Sequence, residues 1–248
     1  MKAMIFAAGL GTRLRPLTDN MPKALVKVGG VPMLERVILH LKDCGFDKVI
    51  VNVHHFADMI IDFLRSNDNF GIDIVISDER DELLDTGGAL VKAKSWLDGT
   101  EPFLVHNADI LTGLDLGEMM RRHVESGADA TLLTAVRESS RYLLFDTCGR
   151  LRGWTNVKTG ECIPEGIVTS DYRQLAFGGI HVISPSLLEK MVSYCPQGAF
   201  PVVPFYVKSC DDAIICSYEP DRQYAWFDIG KPATLSAAEN YLSAKECK

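Results

Sequence analysis

The sequence predicts an α/β protein in three layers: a mainly parallel, Rossmann-like sheet between helices, with mixed or antiparallel strands added in the C-terminal half. Three observations carry this. Five short aliphatic or β-branched runs alternate with segments of helical period over the first half. Strand-like runs outnumber helical ones in the second half. Gly and Pro punctuate short loops throughout, and no linker, charge block, low-complexity tract or internal repeat interrupts the chain.

The five runs are Ala3–Ala7, Lys48–Val53, Ile72–Ile76, Phe103–His106 and Ala130–Ala135. Between the first two, Leu34, Val37, Ile38 and Leu41 fall at i, i+3, i+4 and i+7, and Pro32 suits a helix start. Met59, Ile60, Phe63 and Leu64 predict a second helix, and 87–97 and 116–125 a third and fourth. Strands alternating with helices form βαβ units, whose strands are covered on both faces. In the second half, 142–145, 151–154, 176–183, 213–217 and 224–227 are strand-like, while 185–192 and 233–244 are helical, the last a closing helix. One continuous domain over 1–248, with halves of about 1–135 and 136–248, is the economical reading.

Of the 248 residues 47% are hydrophobic and 24% charged, which excludes a disordered chain. Folding at this size buries about 70–75% of the unfolded surface, so no disulfide or metal is needed. Lys and Arg number 26 against 33 Asp and Glu, a net charge of −7, and such a chain has no excess cations to bind nucleic acid. The seven cysteines are odd in number and contain no C-x-x-C pair, which fits a reducing compartment. Met1 leads into an apolar strand without a signal sequence, and no apolar run approaches the roughly 20 residues of a membrane span. A cytoplasmic protein without membrane contact is expected.

The most informative segment, residues 7–18, reads Ala-Ala-Gly-Leu-Gly-Thr-Arg-Leu-Arg-Pro-Leu-Thr, and Pro22-Lys23-Ala24-Leu25 follows closely. It leaves the first strand at the carboxyl edge, where open α/β sheets bind ligands. Ala8, Gly9 and Gly11 let backbone N–H groups approach an anion, Thr12 adds a hydroxyl, and Arg13 and Lys23 add two cations. The loop suits a polyphosphate. It is neither a dinucleotide fingerprint, since Leu14 and Pro16 replace the third glycine, nor a Walker A loop. Asp109 and Asp228 each end an apolar strand and precede an Ile. Two carboxylates converging at a sheet edge suit Mg²⁺, although a lone Asp there is also an ordinary turn or cap residue.

Taken together these residues resemble the signature of the sugar-1-phosphate nucleotidyltransferases, written G-x-G-T-R-L-x-P-x-T-x-x-x-P-K-x-L. Four further blocks follow in the family's order: Leu83–Ala89, Val105–Ile110, Phe177–His181 and Trp226–Gly230. The resemblance implies the nucleotide-diphospho-sugar transferase fold and reaction of an NTP with a sugar 1-phosphate. It implies a nucleotide-binding N-terminal half that uses Ala8, Gly9, Gly11, Thr12, Arg13 and Lys23 with Asp85, Thr86, Gly87 and Gly88. Arg13, Lys23 and Asp109 would be catalytic, and Asp109 and Asp228 would hold Mg²⁺, with Mn²⁺ a possible substitute. The sugar half would use Asn156, Lys158, Gly179 and Trp226, with Lys158, Arg173 or Arg141 available to a substrate carboxylate. The relatives most similar in pattern are compact N-acetylmuramate 1-phosphate uridylyltransferases. Mannose- or heptose-1-phosphate guanylyltransferases and glucose-1-phosphate uridylyl- or thymidylyltransferases are alternatives. Asp85 stands where many relatives have Gly, and the Thr86–Gly88 turn is expected to read a base through its backbone.

Other classes fit less well. A nicotinamide-dependent oxidoreductase needs an acidic residue ending the second strand, which instead runs Val53-His54-His55. His54 and His55 read as a solvated loop pair, because adjacent strand residues face opposite sides. His106 is expected to be packed near the site. A non-catalytic sugar-nucleotide-binding protein has no need to retain Arg13, Lys23, Asp109 and Asp228 together.

Overall fold

A computed structural model describes residues 1–195 and 198–246. Along the chain the elements are β1 Lys2–Phe6, β2 Lys27–Val28, β3 Val31–Pro32, α1 Met33–Asp43, β4 Lys48–Val53, α2 Ala57–Ser66 and β5 Asp73–Asp78. Then come α3 Asp85–Lys92, α4 Lys94–Leu97, β6 Phe103–Asn107, β7 Ile110–Thr112, α5 Leu116–Ser126 and β8 Ala130–Ala135. The remainder are β9 Arg141–Phe145, β10 Leu151–Asn156, β11 Glu161–Ile163, β12 Arg173–Ile183, α6 Pro185–Tyr194, α7 Val202–Ser209, β13 Ile215–Tyr218, β14 Trp226–Asp228 and α8 Pro232–Glu246. They form two compact units that interleave in sequence, whereas the expected halves are contiguous.

The first unit comprises Met1–Leu83, Val105–Gly117 and Arg222–Lys248. Its β1, β4 and β5 are parallel, with Phe6 beside Asn52 and Val53 beside Asp78, and the end of β6 lies along β1. Ala3–Ile5 and Val49–Val51 are fully buried, as the aliphatic runs require. Helix α1 buries Met33, Leu34, Val37, Ile38 and Leu41, the expected stripe. In α2 the stripe is Ala57, Ile60 and Leu64, and Met59 is turned outward. Removing a side chain such as Ile38 from this core costs about 2–5 kcal/mol. Helix α8 lies on β14, where Tyr241 meets Phe227 at 5.3 Å.

The second unit comprises Leu84–Leu104 and Glu118–Asp221. Strands β11, β10, β9, β12 and β8 are successively antiparallel, and β13 joins β8 in parallel. The segment expected as one helix over 87–97 is two, α3 and α4, parted at Ala93. Helix α7 is unexpected from the sequence: Val-Val-Pro-Phe-Tyr-Val has no amphipathic period, and its Pro204 is tolerated because it falls in the first turn. Cys44, Cys148, Cys162, Cys195, Cys210 and Cys216 are free thiols, and Cys247 lies outside the described residues. Among the described residues no helix is long and apolar enough to cross a membrane.

Candidate active site

The loop leaving β1 is shaped by its own sequence. Gly11 has φ +66°, and a Cβ there would stand 3.0 Å from Lys23 Cβ and from Thr18 Cγ2. Glycine is therefore required both for conformation and for space. The buried Thr18 hydroxyl donates to the Gly11 carbonyl at 2.8 Å and fixes the turn. Ala8 is buried, while Gly9, Thr12 and Arg13 are exposed. Lys23 opens a short 3₁₀ turn after Pro22, and its ammonium forms an ion pair with Asp109 Oδ2.

The backbones that carry the two aspartates are joined by a pair of three-residue strands. Strand β14 pairs antiparallel with β7, placing Asp228 beside Ile110 and Trp226 beside Thr112. The Ile229 N–H donates to the Asp109 carbonyl at 2.8 Å, and Thr112 and Gly113 bond the Ala225 carbonyl. Asp228 ends its strand as expected, but Asp109 sits in the two-residue turn between β6 and β7. Ile110 and Ile229, 3% and 1% exposed, anchor the carboxylates from the core. Asp228 Oδ1 is buried without a hydrogen-bond partner. A Cβ on Gly230 would lie 2.6 Å from that oxygen and 3.0 Å from Arg13 Nη2, so only glycine leaves room for both groups. Among the described residues no cluster of three or more His, Cys, Asp or Glu is placed for a metal. A cation here would take two protein carboxylates and complete its shell from substrate and water, as Mg²⁺ commonly does.

His106 is buried as expected. Its Nδ1 donates to the Asn107 carbonyl at 2.8 Å, and burial holds its pKa down at about 4, so it is neutral at pH 7 and adds no cation. His54 is not simply solvated, because it donates from Nδ1 to the Glu79 carbonyl at 2.5 Å.

Asp85–Gly88 lie in the second unit. Asp85 has φ +56°, a left-handed conformation more natural to glycine. Its carboxylate accepts the Thr86 N–H at 2.6 Å, and Thr86 Oγ1 accepts the Val202 N–H at 2.9 Å. The N–H groups of Gly87 and Gly88 both donate to the Phe200 carbonyl, at 2.7 and 3.3 Å. A Cβ on Gly87 would fall 2.2 Å from the Phe200 ring, and one on Gly88 2.5 Å from the Gly198 carbonyl. Phe200 and Asp85 thus engage the N–H groups of this turn, and both glycines serve close packing.

The expected sugar residues divide between the units. Trp226, half-buried, shares a strand face with Asp228 in the first unit. In the second, Gly179 has φ +74° where the pairing of β12 with β8 slips between Phe177 and His181. Asn156 Oδ1 accepts the Lys158 N–H at 3.1 Å, so its oxygen closes the turn after β10, and Lys158 is exposed. Arg173 is held by Glu219 at 2.9 Å. Thr18, Gly230 and Phe200 are the contributors not singled out from sequence. The first two lie inside the quoted blocks, but Phe200 is more than 110 residues from its partners.

Residues 2–144 match a family model described as nucleotidyl transferase. The chain is 32% identical to the N-acetylmuramate alpha-1-phosphate uridylyltransferase of Caulobacter vibrioides, over 97% of this chain and 96% of that one. It is 31% identical to a probable mannose-1-phosphate guanylyltransferase of Oryza sativa, over 94% of this chain but 62% of the rice protein. Among solved structures, HddC from Yersinia pseudotuberculosis complexed with GMP-PN has a TM-score of 0.78 at 22% identity, covering 97% of this chain and 99% of its own. A UDP-glucose pyrophosphorylase complexed with UDP-glucose has a TM-score of 0.77 at 17% identity, covering 98% of each chain.

Proposed function

The chain belongs to the nucleotidyl transferase family, and on that premise we propose that it transfers the nucleotidyl group of an NTP to a sugar 1-phosphate, releasing pyrophosphate. The observation that carries the reading is the β7–β14 pairing, which sets Asp228 beside Ile110, the residue after Asp109, with Lys23 on Asp109 and Arg13 near Asp228. An oxygen of the sugar phosphate attacks the α-phosphorus in line, and the bond to the β-phosphate breaks. No protein nucleophile is needed. The protein supplies position and charge, which matters for two polyanions meeting on a chain of net charge −7. Arg13 stabilises the departing pyrophosphate, and Lys23 the α-phosphate or the incoming phosphate.

A divalent cation fits the pair, because Asp228 has an orphaned Oδ1, its neighbour Ile229 bonds the Asp109 backbone, and both aspartates offer hard oxygen donors. Mg²⁺, or Mn²⁺ in its place, would be held by these two residues and would neutralise charge on the phosphates when bound. Gly230 keeps the space in which Asp228 and Arg13 stay close without forming an ion pair.

For the substrates we infer UTP and N-acetylmuramic acid 1-phosphate. Likeness to the Caulobacter uridylyltransferase over nearly the whole of both chains supports this, as do the Leu83–Gly88 and Pro102–Asp109 blocks. Gly179 and Trp226 would face the sugar, and Lys158 or Arg141 would meet its lactyl carboxylate. One observation favours guanylyl transfer instead: Asp85 is exposed and offers a carboxylate to the N–H edge of guanine, as the rice likeness would suit. Pyrophosphate release measured over four NTPs and a panel of sugar 1-phosphates decides between them. UTP with N-acetylmuramate 1-phosphate should exceed GTP by at least tenfold in kcat/KM, or about 1.4 kcal/mol. Preference for GTP with mannose 1-phosphate would reject the substrate and leave the reaction class.

A further inference from the structure

Beneath the loop that leaves β1 lies a buried polar chain that the reaction does not use directly. Ala7, the first residue after β1, is 4% exposed, and its N–H donates to Asn52 Oδ1 at 2.7 Å. Asn52 sits near the end of β4, opposite Phe6 on one side and Ser77 on the other, and is 3% exposed. Its Nδ2 donates to Glu79 Oε1 at 2.9 Å. Glu79 follows β5 and is fully buried. It is fixed by its backbone as well: its N–H donates to the Val53 carbonyl at 2.7 Å, and its carbonyl accepts from His54 Nδ1.

A fully buried carboxyl is a costly choice for a position that an aliphatic side chain would fill more favourably. Its effect lies in what it imposes on Asn52. A carboxamide has a donor end and an acceptor end of nearly the same shape, so packing alone does not orient it. Glu79 accepts at Oε1, which turns Nδ2 toward itself and leaves Oδ1 to face the Ala7 N–H. The flipped amide would set two donors against each other at Ala7 and two acceptors at Glu79, losing two buried hydrogen bonds. Beyond Ala8, which is itself buried, no side chain among the described residues holds the next two. A Cβ on Gly9 would meet nothing within 4 Å, Leu10 is 46% exposed, and the next side-chain anchor is Thr18 on Gly11.

We propose that Asn52 and Glu79 are positioning residues for the NTP: without touching it, they set the direction in which Ala7 delivers the backbone donors of residues 8–11 to its phosphates. This rests on the reading of that loop as the phosphate site. It predicts an effect confined to one of the two substrates, which a merely structural pair would not show.

The test is an acid–amide exchange. Asn52→Asp sets two carboxyl groups against each other and should raise KM for the NTP about tenfold, with KM for the sugar phosphate within about twofold of wild type. Adding Glu79→Gln restores the polarity: the introduced carboxylate accepts from Ala7 and from the introduced carboxamide. KM for the NTP should then return to within about threefold of wild type. If Asn52→Asp does not fold, Asn52→Ala, which removes the acceptor for Ala7, should show the same NTP-selective rise. An unchanged KM for the NTP, a double variant as impaired as the single, or equal rises for both substrates would overturn the proposal. A wild-type chain that releases no pyrophosphate would instead overturn the functional reading on which it rests.

Discussion

Truncating Lys23 to Ala separates the two partners this residue is asked to serve. In the structure its ammonium lies on Asp109, with the side chains 13% and 21% exposed, so the pair is largely withdrawn from water. In the proposed reaction the same ammonium would neutralise phosphate oxygens. A charge-assisted hydrogen bond in such surroundings is worth about 1.5–3 kcal/mol, or roughly 10- to 150-fold in rate. Lys23→Ala should lower kcat by that factor, because charge is redistributed in the transition state. The same change frees Asp109 of its competing cation, so Mn²⁺ titrated into nucleotide-free protein, followed by its spin-resonance signal, should bind more tightly than to wild type. Turnover and metal affinity thus move in opposite directions. Lys23→Arg should recover little activity, since a planar fork does not replace a compact ammonium in the space bounded by Gly11. Wild-type turnover in Lys23→Ala would refute this reasoning and leave the loop a plain turn.

Asp109→Asn should reduce turnover by orders of magnitude with the fold intact by circular dichroism, and chelator should abolish wild-type activity; full activity in excess EDTA would remove the two-carboxylate site. Gly230→Ala places a methyl 2.6 Å from Asp228 Oδ1, so Mn²⁺ affinity and kcat should both fall; unchanged values would show that the segment gives way freely. Gly87→Ala meets the Phe200 ring at 2.2 Å and should lower the melting temperature, an overpacking cost of about 1–3 kcal/mol. Burial depresses His106, His123 and His181 to about 4, 4 and 3, so each is neutral when folded and protonates more readily once unfolded. Their contribution is full above pH 6.5 and declines as pH falls toward 4, by about 1.4 kcal/mol per pH unit for each residue. His181→Gln, which keeps a partner for the Tyr206 hydroxyl, should flatten the wild-type slope of unfolding free energy between pH 6 and 5 by that amount. A slope equal to wild type would contradict the assignment.

Features set by local sequence were legible in it. Strands Lys48–Val53 and Ala130–Ala135 and the buried stripe of α1 follow from residue type and period alone. Strands of two or three residues, such as β7 and β14, are too short to carry a period, yet β14 sets Asp228 beside Ile110, the residue after Asp109. In α2 the period was right but its phase was not: burying Ala57, Ile60 and Leu64 leaves Met59 in solvent. The loop proposed to take the phosphates stands out in sequence because glycines, cations and the following proline lie within one segment. The packing of Gly87 on Phe200 and of Gly88 on Gly198 was not legible, because those partners are distant in sequence. Asn52 interrupts a valine-rich strand, which is itself a signal, but its acceptor role depends on Glu79, 27 residues away.

The central claim is the identity of the bond that forms, and isotope transfer tests it most directly. A sugar 1-phosphate carrying ¹⁸O at every non-bridging phosphate oxygen, incubated with NTP, Mg²⁺ and the protein, is resolved by mass spectrometry into its products. Attack by the sugar phosphate on the α-phosphorus predicts that all the label stays in the nucleotide sugar and none enters pyrophosphate. Label in pyrophosphate, or label released as free phosphate without a nucleotide sugar, would contradict the account.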